Sequence, residues 1–411
     1  MTLAQEMALE FDYVMGTFAR KPVEFVEGEG MILRDDTGKE YLDFLSGIGV
    51  CSLGHCYQPL VKAVSEQAAK LIHVSNYYYI EHRGEVAKLI SDMLNKKSPM
   101  ERPESWKTFF ANSGAEANEC AIKLARLYAR RAAERAGRNP EMAPNLVVTL
   151  AKSFHGRTLA TLAATAQPAK QEAFQPLPAG FTATPINDIE ALERLFATQG
   201  NRICAVMIEC VQGESGVHPC TREFVRAIRQ LTARNGALMI CDEVQSGIYR
   251  TGLPYGFQHF DITPDIVTMA KGIASGIVAG ACSARTEVAA AFGPGDHGST
   301  FGGSNIAMAA AQVTLEALMA PGMDMQITRV GSYLRDKLAE LPHVMEVRGY
   351  GLMNGLDLTN AAPSAPDVVT AGLQAGLVLN ATGPHTLRFL PPLICTEADV
   401  DALCEKLGPL L

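Results

Sequence analysis

No run of about eighteen uninterrupted apolar residues occurs in the chain, so no segment reads as a membrane-spanning helix. There is also no block of five or six like charges. With 36 Lys and Arg against 44 Asp and Glu, the formal net charge is −8. Phosphate backbones and anionic lipid are poor partners for such a surface, so neither nucleic acid nor a membrane is expected. The opening stretch MTLAQEMALEFDYVMGTFAR contains acids and no clean apolar core. It does not read as a secretory signal, and the cytoplasm is the expected compartment. The ten cysteines fall in no C-x-x-C and no paired Cys/His spacing. A zinc site is therefore not expected, nor any other metal, and the cysteines read as reduced core thiols. Walker and G-x-G-x-x-G patterns are absent, which removes the usual nucleotide signatures.

What is present is ordinary globular composition, 47% hydrophobic and 19% charged, over 411 residues. That length exceeds one core and predicts two or three subdomains. Residues 1–75 read as short extended pieces and turns, with GMILRDDTGKEYLDFLSGIGV giving strand, turn and strand. From about 106 the pattern alternates strand and helix. WKTFFANSG reads as strand into loop, and NLVVTLAKSFHG, ICAVMIECVQG, ALMICDEV and DIVTMAKG read as strands. AEANECAIKLARLYARRAAERAG, DIEALERLF and EFVRAIRQLTARNG read as helices, the last closed by Gly236. The strands are continuous apolar runs, which predicts an α/β fold whose sheet is covered on both faces. A Gly-rich loop at 293–303 and a helix over 305–319 precede a smaller α+β unit. The expected division is an N-terminal segment 1–75, a large domain 76–310 and a C-terminal small domain 311–411.

Four places carry chemistry, each with a plainer reading beside it. In GALMICDEVQSG an apolar strand ends on Asp242 and Glu243. Strands must surface somewhere, but open α/β sheets also bind ligands at their strands' C-terminal ends. Strand neighbours point to opposite faces, so one of the two acids serves a site and the other is structural. In ANSGAEANE, Ser113 and Glu116 fit a capping box, and the same helix start can cradle a phosphate. In SFHGRT, Phe154 and Arg157 suit a flat ring and a carboxylate, although a core Phe and a solvated Arg are the ordinary case. His155 between them fits a hydrogen-bonded structural imidazole equally well. In VTMAKGIASG, Lys271 ends an apolar strand; it is either a snorkelling lysine or a desolvated amine usable as a nucleophile.

Taken in order, NSGAEANE, SFHGRT, VQGE, DEVQSGIYRTG, AKG, GSTFGG and LRFLPP resemble the class III (ω-amino) aminotransferases that use pyridoxal phosphate. The likeness runs from about residue 20 to the end. Within that family, HVSNYYYIE, SGIGVCSLGH and LVLNATGPHTLRFLPPL are similar to the acetylornithine aminotransferases. The resemblance implies the fold-type-I architecture: a mostly parallel, seven-stranded sheet in a large domain, with small domains built from both termini.

It also implies roles. Lys271 would hold the cofactor covalently and then move the substrate's proton; Asp242 would pair with the ring nitrogen. Gln245 would bond the ring's phenolic oxygen, and Phe154 would stack on the ring. Ser113, Gly114 and Ala115 would hold the phosphate, joined by Thr300 from a second subunit, which makes a homodimer necessary. Arg157 and Arg388 would clamp carboxylates, with Ser299 also touching substrate. Glu214 would mask Arg388 when an amine is bound and release it for glutamate. Glu209 would support the site from behind, and Glu243 is left as a structural acid. The implied reaction moves an amino group from N2-acetylornithine to 2-oxoglutarate in arginine biosynthesis. Ornithine, 4-aminobutyrate or succinylornithine are alternative amines, and an aminomutase is the rival reaction. The chain departs from the family pattern at Cys210, at Ala274, Ser275, Val278 and Ala279 after the lysine, and at Ser304 and Asn305.

Overall fold

The computed structural model describes residues 2–99 and 102–411. At its centre is a seven-stranded sheet. Its spatial order is Trp106–Ala111, Gly280–Arg285, Ile266–Met269, Leu238–Asp242, Ile203–Ile208, Leu146–Leu150 and Phe181–Thr184. Leu238–Asp242 runs parallel to both its neighbours. Only Gly280–Arg285 runs antiparallel to the strands beside it. The sheet is thus mostly parallel, as the α/β reading expects. Two of its strands, Phe181–Thr184 and Gly280–Arg285, are not evident from the apolar pattern. The first is short and only one of its four residues is buried. The second is the small-residue run GACSAR, which carries little strand propensity.

Burial explains why the other strands read so clearly. Every residue of Ile203–Ile208, Leu238–Asp242 and Ile266–Met269 is buried. Helices cover both faces, so each large aliphatic side chain contributes about 1.5–3 kcal/mol of transfer free energy. The covering helices carry their own start and stop signals. Arg222–Asn235 is capped by Thr221, whose Oγ1 accepts the Phe224 N–H at 3.3 Å, and it ends where Gly236 takes φ 66°. That positive φ is cheap for glycine and costly for most other residues.

Two helices correct the reading of residues 1–75 as extended pieces and turns: Leu3–Tyr13 and Gln58–Lys70. Leu3–Tyr13 has no buried residue, and Gln58–Lys70 buries only Leu60 and Gln67. Neither therefore presents the broad apolar stripe that marks a helix in a sequence. The predicted strand–turn–strand is found as Ile32–Asp35 and Glu40–Asp43. Their sheet is completed by Leu377–Val378, parallel to Glu40–Asp43, so the two ends of the chain share it. A second four-stranded sheet contains Val344–Tyr350, Met353–Leu358, Thr386–Phe389 and Asn380–Ala381. The helix Asn305–Leu318 runs through residue 310 and then bends by 73° into Met323–Ala339. No single helix among the described residues is long and apolar enough to cross a membrane.

Candidate active site

Parallel neighbours end at the same edge of a sheet. Asp242 pairs with Thr268 across two such strands, and Lys271 follows the second strand by two residues. The carboxylate and the amine therefore come out side by side at the C-terminal edge. They open into a cavity of about 440 Å³ whose wall includes Ser113, Gly114, Ala115, Phe154, Arg157 and Gln245. Open α/β sheets place their ligands at this edge.

Asp242 is held from three sides. Its Oδ2 accepts from Asn118 Nδ2 at 2.8 Å and lies 2.7 Å from His155 Nδ1, while Oδ1 accepts the Val244 N–H at 3.0 Å. Asn118 is oriented in turn by Thr268, whose Oγ1 donates to its Oδ1 at 2.6 Å. Two carboxylate oxygens offer about four lone pairs, so this anchoring leaves one acceptor position open. Burial opposes protonation of His155, but the hydrogen bond and charge of Asp242, with the charge of Glu209, raise its pKa. His155 Nε2 is buried without a partner. The carboxyl of Glu209 is pushed up to about 7 by burial, although it accepts the Phe154 N–H at 2.9 Å.

Lys271 shows the opposite effect. Burial lowers its pKa, against the raising effects of Glu214 and Asp242. Its backbone takes φ 43°, a left-handed conformation that costs a non-glycine residue free energy and that tertiary packing must enforce. The enforcement is visible just beyond it: Ser52 Oγ donates to the Gly272 carbonyl at 3.1 Å, and the Leu53 N–H donates to Ser275 Oγ at 3.0 Å. The altered residues after the lysine therefore still build an ordered wall, with Gly276, Val278 and Ala279 lining the cavity.

The helix Gly114–Arg135 points its N-terminus into the same cavity. Ser113 Oγ accepts the Glu116 N–H at 3.2 Å, which is half of the expected capping box. The return bond differs: Glu116 accepts from the N–H of Asn112, one residue before the cap. The N–H groups of Gly114 and Ala115 have no acceptor within the helix, as its first turn dictates. A Cβ on Gly114 would meet Val244 Cγ1 at 2.7 Å, so glycine is required there by protein packing.

Arg388 and Glu214 stand behind Gln245. Arg388 is 2% exposed, a burial that a guanidinium tolerates only with partners. Nη1 donates to Glu214 Oε1 at 2.7 Å and to Gln245 Oε1 at 3.0 Å, and Nη2 donates to Asn380 Oδ1 at 2.9 Å. Burial works against the Glu214 carboxylate, but the charge and hydrogen bond of Arg388 outweigh it and lower the pKa. Arg157 is exposed, its guanidinium 5.7 Å from the Phe154 ring centroid. Lys170 lies 5.8 Å from the same centroid, and burial, then the neighbouring Arg157, lowers its pKa. A carboxylate arriving here would meet two cations.

Ser299 and Thr300 are not among the residues lining this cavity. They line a neighbouring hollow with Phe109, Asn112, Glu116 and His297. Ser299 Oγ accepts from Asn112 Nδ2 at 3.1 Å, and Thr300 is exposed. Glu243 faces away from the cavity: it accepts the N–H groups of Gly256 and Phe257 at 2.8 and 2.7 Å. Asn118 is the contributor that the sequence reading passes over. Its signal is an asparagine inside the first turns of a helix, where that residue is otherwise unfavourable. Among the described residues no cluster suited to a metal ion is present.

The family described as "Aminotransferase class-III" matches residues 17–411. The acetylornithine aminotransferase of Caldanaerobacter subterraneus subsp. tengcongensis is 43% identical over 406 residues, covering 98% of each chain. A solved ornithine aminotransferase from Toxoplasma gondii, with partial occupancy of PLP at its active site, superposes with TM-score 0.90. It is 28% identical, covering 99% of this chain and 93% of that one. The acetylornithine aminotransferase of Elizabethkingia anophelis gives TM-score 0.85 at 29% identity, covering 100% of this chain and 99% of that one. With the family matched over residues 17–411 and a relative 43% identical over nearly the whole length, the chain belongs to the class-III aminotransferases.

Proposed function

We propose that the protein transfers an amino group between N2-acetylornithine and 2-oxoglutarate, with pyridoxal phosphate as cofactor, in alternating half-reactions. The observation that carries this reading is the convergence of Lys271, the triply anchored Asp242 and the helix start at Gly114 on one cavity. These residues fit the cofactor: a free acceptor position, a low-pKa amine and two unsatisfied N–H groups match a protonated ring nitrogen, an aldehyde and a phosphate. When bound, the cofactor supplies an electron sink for the carbon that loses its proton.

The chain's own residues do the rest. Gly114 and Ala115 donate their N–H groups to the phosphate, aided by Ser113. Asp242, fixed by Asn118 and His155, keeps its open lone pair for the ring nitrogen. Phe154 packs on the ring and Gln245 reaches the phenolic oxygen. Lys271, favoured in its neutral form by burial, takes and returns the substrate proton. Arg157 holds the substrate carboxylate, and Ser299, beside Thr300 in the neighbouring hollow, contacts the substrate of the other copy. Arg388 is covered by Glu214 while an amine is bound; glutamate displaces that carboxylate and uses the guanidinium instead. Glu209 steadies the Phe154 backbone from behind.

The same proposal includes a homodimer in which Thr300 completes the phosphate site of the other copy, and a cytoplasmic role in arginine biosynthesis. It also keeps the division of the chain at residues 75 and 310. Support for acetylornithine as the amine comes from the relatives named above, of which the more similar is the acetylornithine enzyme of Caldanaerobacter at 43% identity. The test is a panel of acetylornithine, ornithine, succinylornithine and 4-aminobutyrate with 2-oxoglutarate, followed by the cofactor's absorbance. Acetylornithine should give the highest kcat/KM. If it ranks among the poorest donors, the substrate assignment fails, and turnover without any oxo-acid acceptor would point to an aminomutase.

A further inference from the structure

Of the ten cysteines, seven are buried, Cys51 and Cys404 are half-buried and Cys56 is exposed. Cys51 combines partial exposure with an acid-anchored imidazole. It opens a tight turn in which the Gly54 N–H donates to the Cys51 carbonyl at 3.1 Å, and His55 follows directly. His55 Nε2 lies 2.8 Å from Asp43 Oδ2, and the Cys51 thiol is close enough to the same ring to interact with it. Asp43 is fixed through Oδ1, which accepts the N–H groups of Leu45 and Ser46, both at 2.8 Å. The His55 backbone is pinned to Gly30 by two hydrogen bonds of 2.9 Å. A Cβ on Gly28 would come within 2.8 Å of His55 Cβ, so the ring is also confined from that side. Asp43 and then Cys51 hold the imidazole protonated, with its pKa up at about 10 despite burial. Thiol, imidazole and carboxylate in series are the arrangement in which cysteine acts as a nucleophile.

The position matters as much as the chemistry. Val50, the preceding residue, lines the cavity that holds Lys271, and so does Gly276. A Cβ on Gly276 would lie 3.9 Å from Cys51 Sγ. The same turn holds the segment after the lysine through Ser52 to Gly272 and Leu53 to Ser275. We propose that Cys51 is a modification site that exchanges with small-molecule disulfides, and that a group attached there acts on the cavity through the loop following Lys271. In the exchange the Cys51 sulfur bonds to one sulfur of the disulfide and the original S–S bond breaks. The departing half leaves as a thiol, taking the proton that Cys51 gave up. Cys51 is oxidised and the departing half is reduced. The attached half must then occupy space between the turn and Gly276, which moves the lysine loop.

The test treats the holoenzyme at neutral pH with the aromatic disulfide 5,5′-dithiobis(2-nitrobenzoate), following released thiolate and mapping the labelled peptide by mass. Cys51 should react first, about tenfold faster than the more exposed Cys56, because the neighbouring cation favours attack. His55→Gln should slow Cys51 by about tenfold and leave Cys56 unchanged. Labelling at Cys51 should lower turnover, dithiothreitol should restore it, and Cys51→Ser should stay active and become insensitive. If Cys56 or a buried cysteine reacts first in the wild-type protein, or Cys51→Ser loses activity to the reagent as fast as wild type, the proposal is overturned. The labelling order is read on the wild-type protein, so it depends neither on the His55 variant folding nor on which amine the enzyme prefers.

Discussion

At the scale of single residues, the opposed treatment of two basic groups is the informative feature. Lys271 is half-buried with no side-chain hydrogen bond among the described residues, and its pKa falls because desolvation penalises the ammonium. Arg388 is buried more deeply but is well partnered, with Glu214, Gln245 and Asn380 sharing its donors. In the proposed mechanism the first is the reacting amine and the second the group that meets a substrate carboxylate. A lysine at 388 would lose the planar fork and could not serve Asn380 and a carboxylate together. Arg388→Lys should therefore slow the glutamate half-reaction by about 10²-fold while the amine half-reaction changes much less. Single-turnover spectra separate the halves, and equal mild losses in both would defeat the masking role of Glu214. That Asp242 and Lys271 each end an apolar strand is legible in the sequence; that they meet is not. Asn118 and His155 are harder to read as supports, since their contact with Asp242 joins residues 124 and 87 positions apart.

At the scale of elements, Glu243 joins the end of its strand to the turn Gly256–Phe260. It accepts from Ser246 Oγ at 2.7 Å as well as from the Gly256 and Phe257 N–H groups. Removing it leaves three buried donors unpaired, at about 1–3 kcal/mol each. Burial holds its carboxyl at about 7, above the ordinary 4.5. The folded protein thus keeps this proton where the unfolded chain has released it. The stabilisation from that proton is complete below about 4.5 and is lost as pH rises through about 7. Glu243→Ala should consequently cost more stability at pH 5 than at pH 8, which urea unfolding at the two values would show. An equal loss at both would mean that the carboxyl titrates normally. The missed helices make the converse point: Leu3–Tyr13 buries nothing, so no apolar period records it.

At the scale of the whole molecule, one group of exposed apolar side chains lies beside the hollow that contains Thr300. Phe301 is 62% exposed, and Tyr77, Tyr78 and Tyr79 are also open to solvent. Asn76 ties the two segments together, donating to the carbonyls of Ser299 and Gly302 at 2.8 and 3.1 Å. Apolar surface of this kind marks an interface. If Thr300 serves the other copy's phosphate site, two inactive variants should complement each other. Thr300→Asp places a negative charge against the phosphate, and Lys271→Ala lacks the amine. Co-expressed, they form mixed dimers with one intact site, recovering about a quarter of wild-type activity under random pairing. If Thr300 served its own subunit, mixing would restore nothing.

The sequence by itself determined five of the seven strands of the central sheet, because strands covered on both faces must be apolar throughout. It also marked Lys271 and Asp242 as candidates, since charged groups at the ends of apolar runs leave a local mark, whereas Arg157 and Arg388 gained their roles through the resemblance to the family. Only the tertiary structure decided which of these groups meet. Placing Asp242 beside Lys271 requires parallel pairing of their strands, and pairing Glu214 with Arg388 brings together residues 174 positions apart. The structure also decided that the thiol of Cys51 faces an imidazole anchored on Asp43. Such contacts arise from chain crossings whose closure is rewarded only once the core has packed, and no local pattern of residues encodes them.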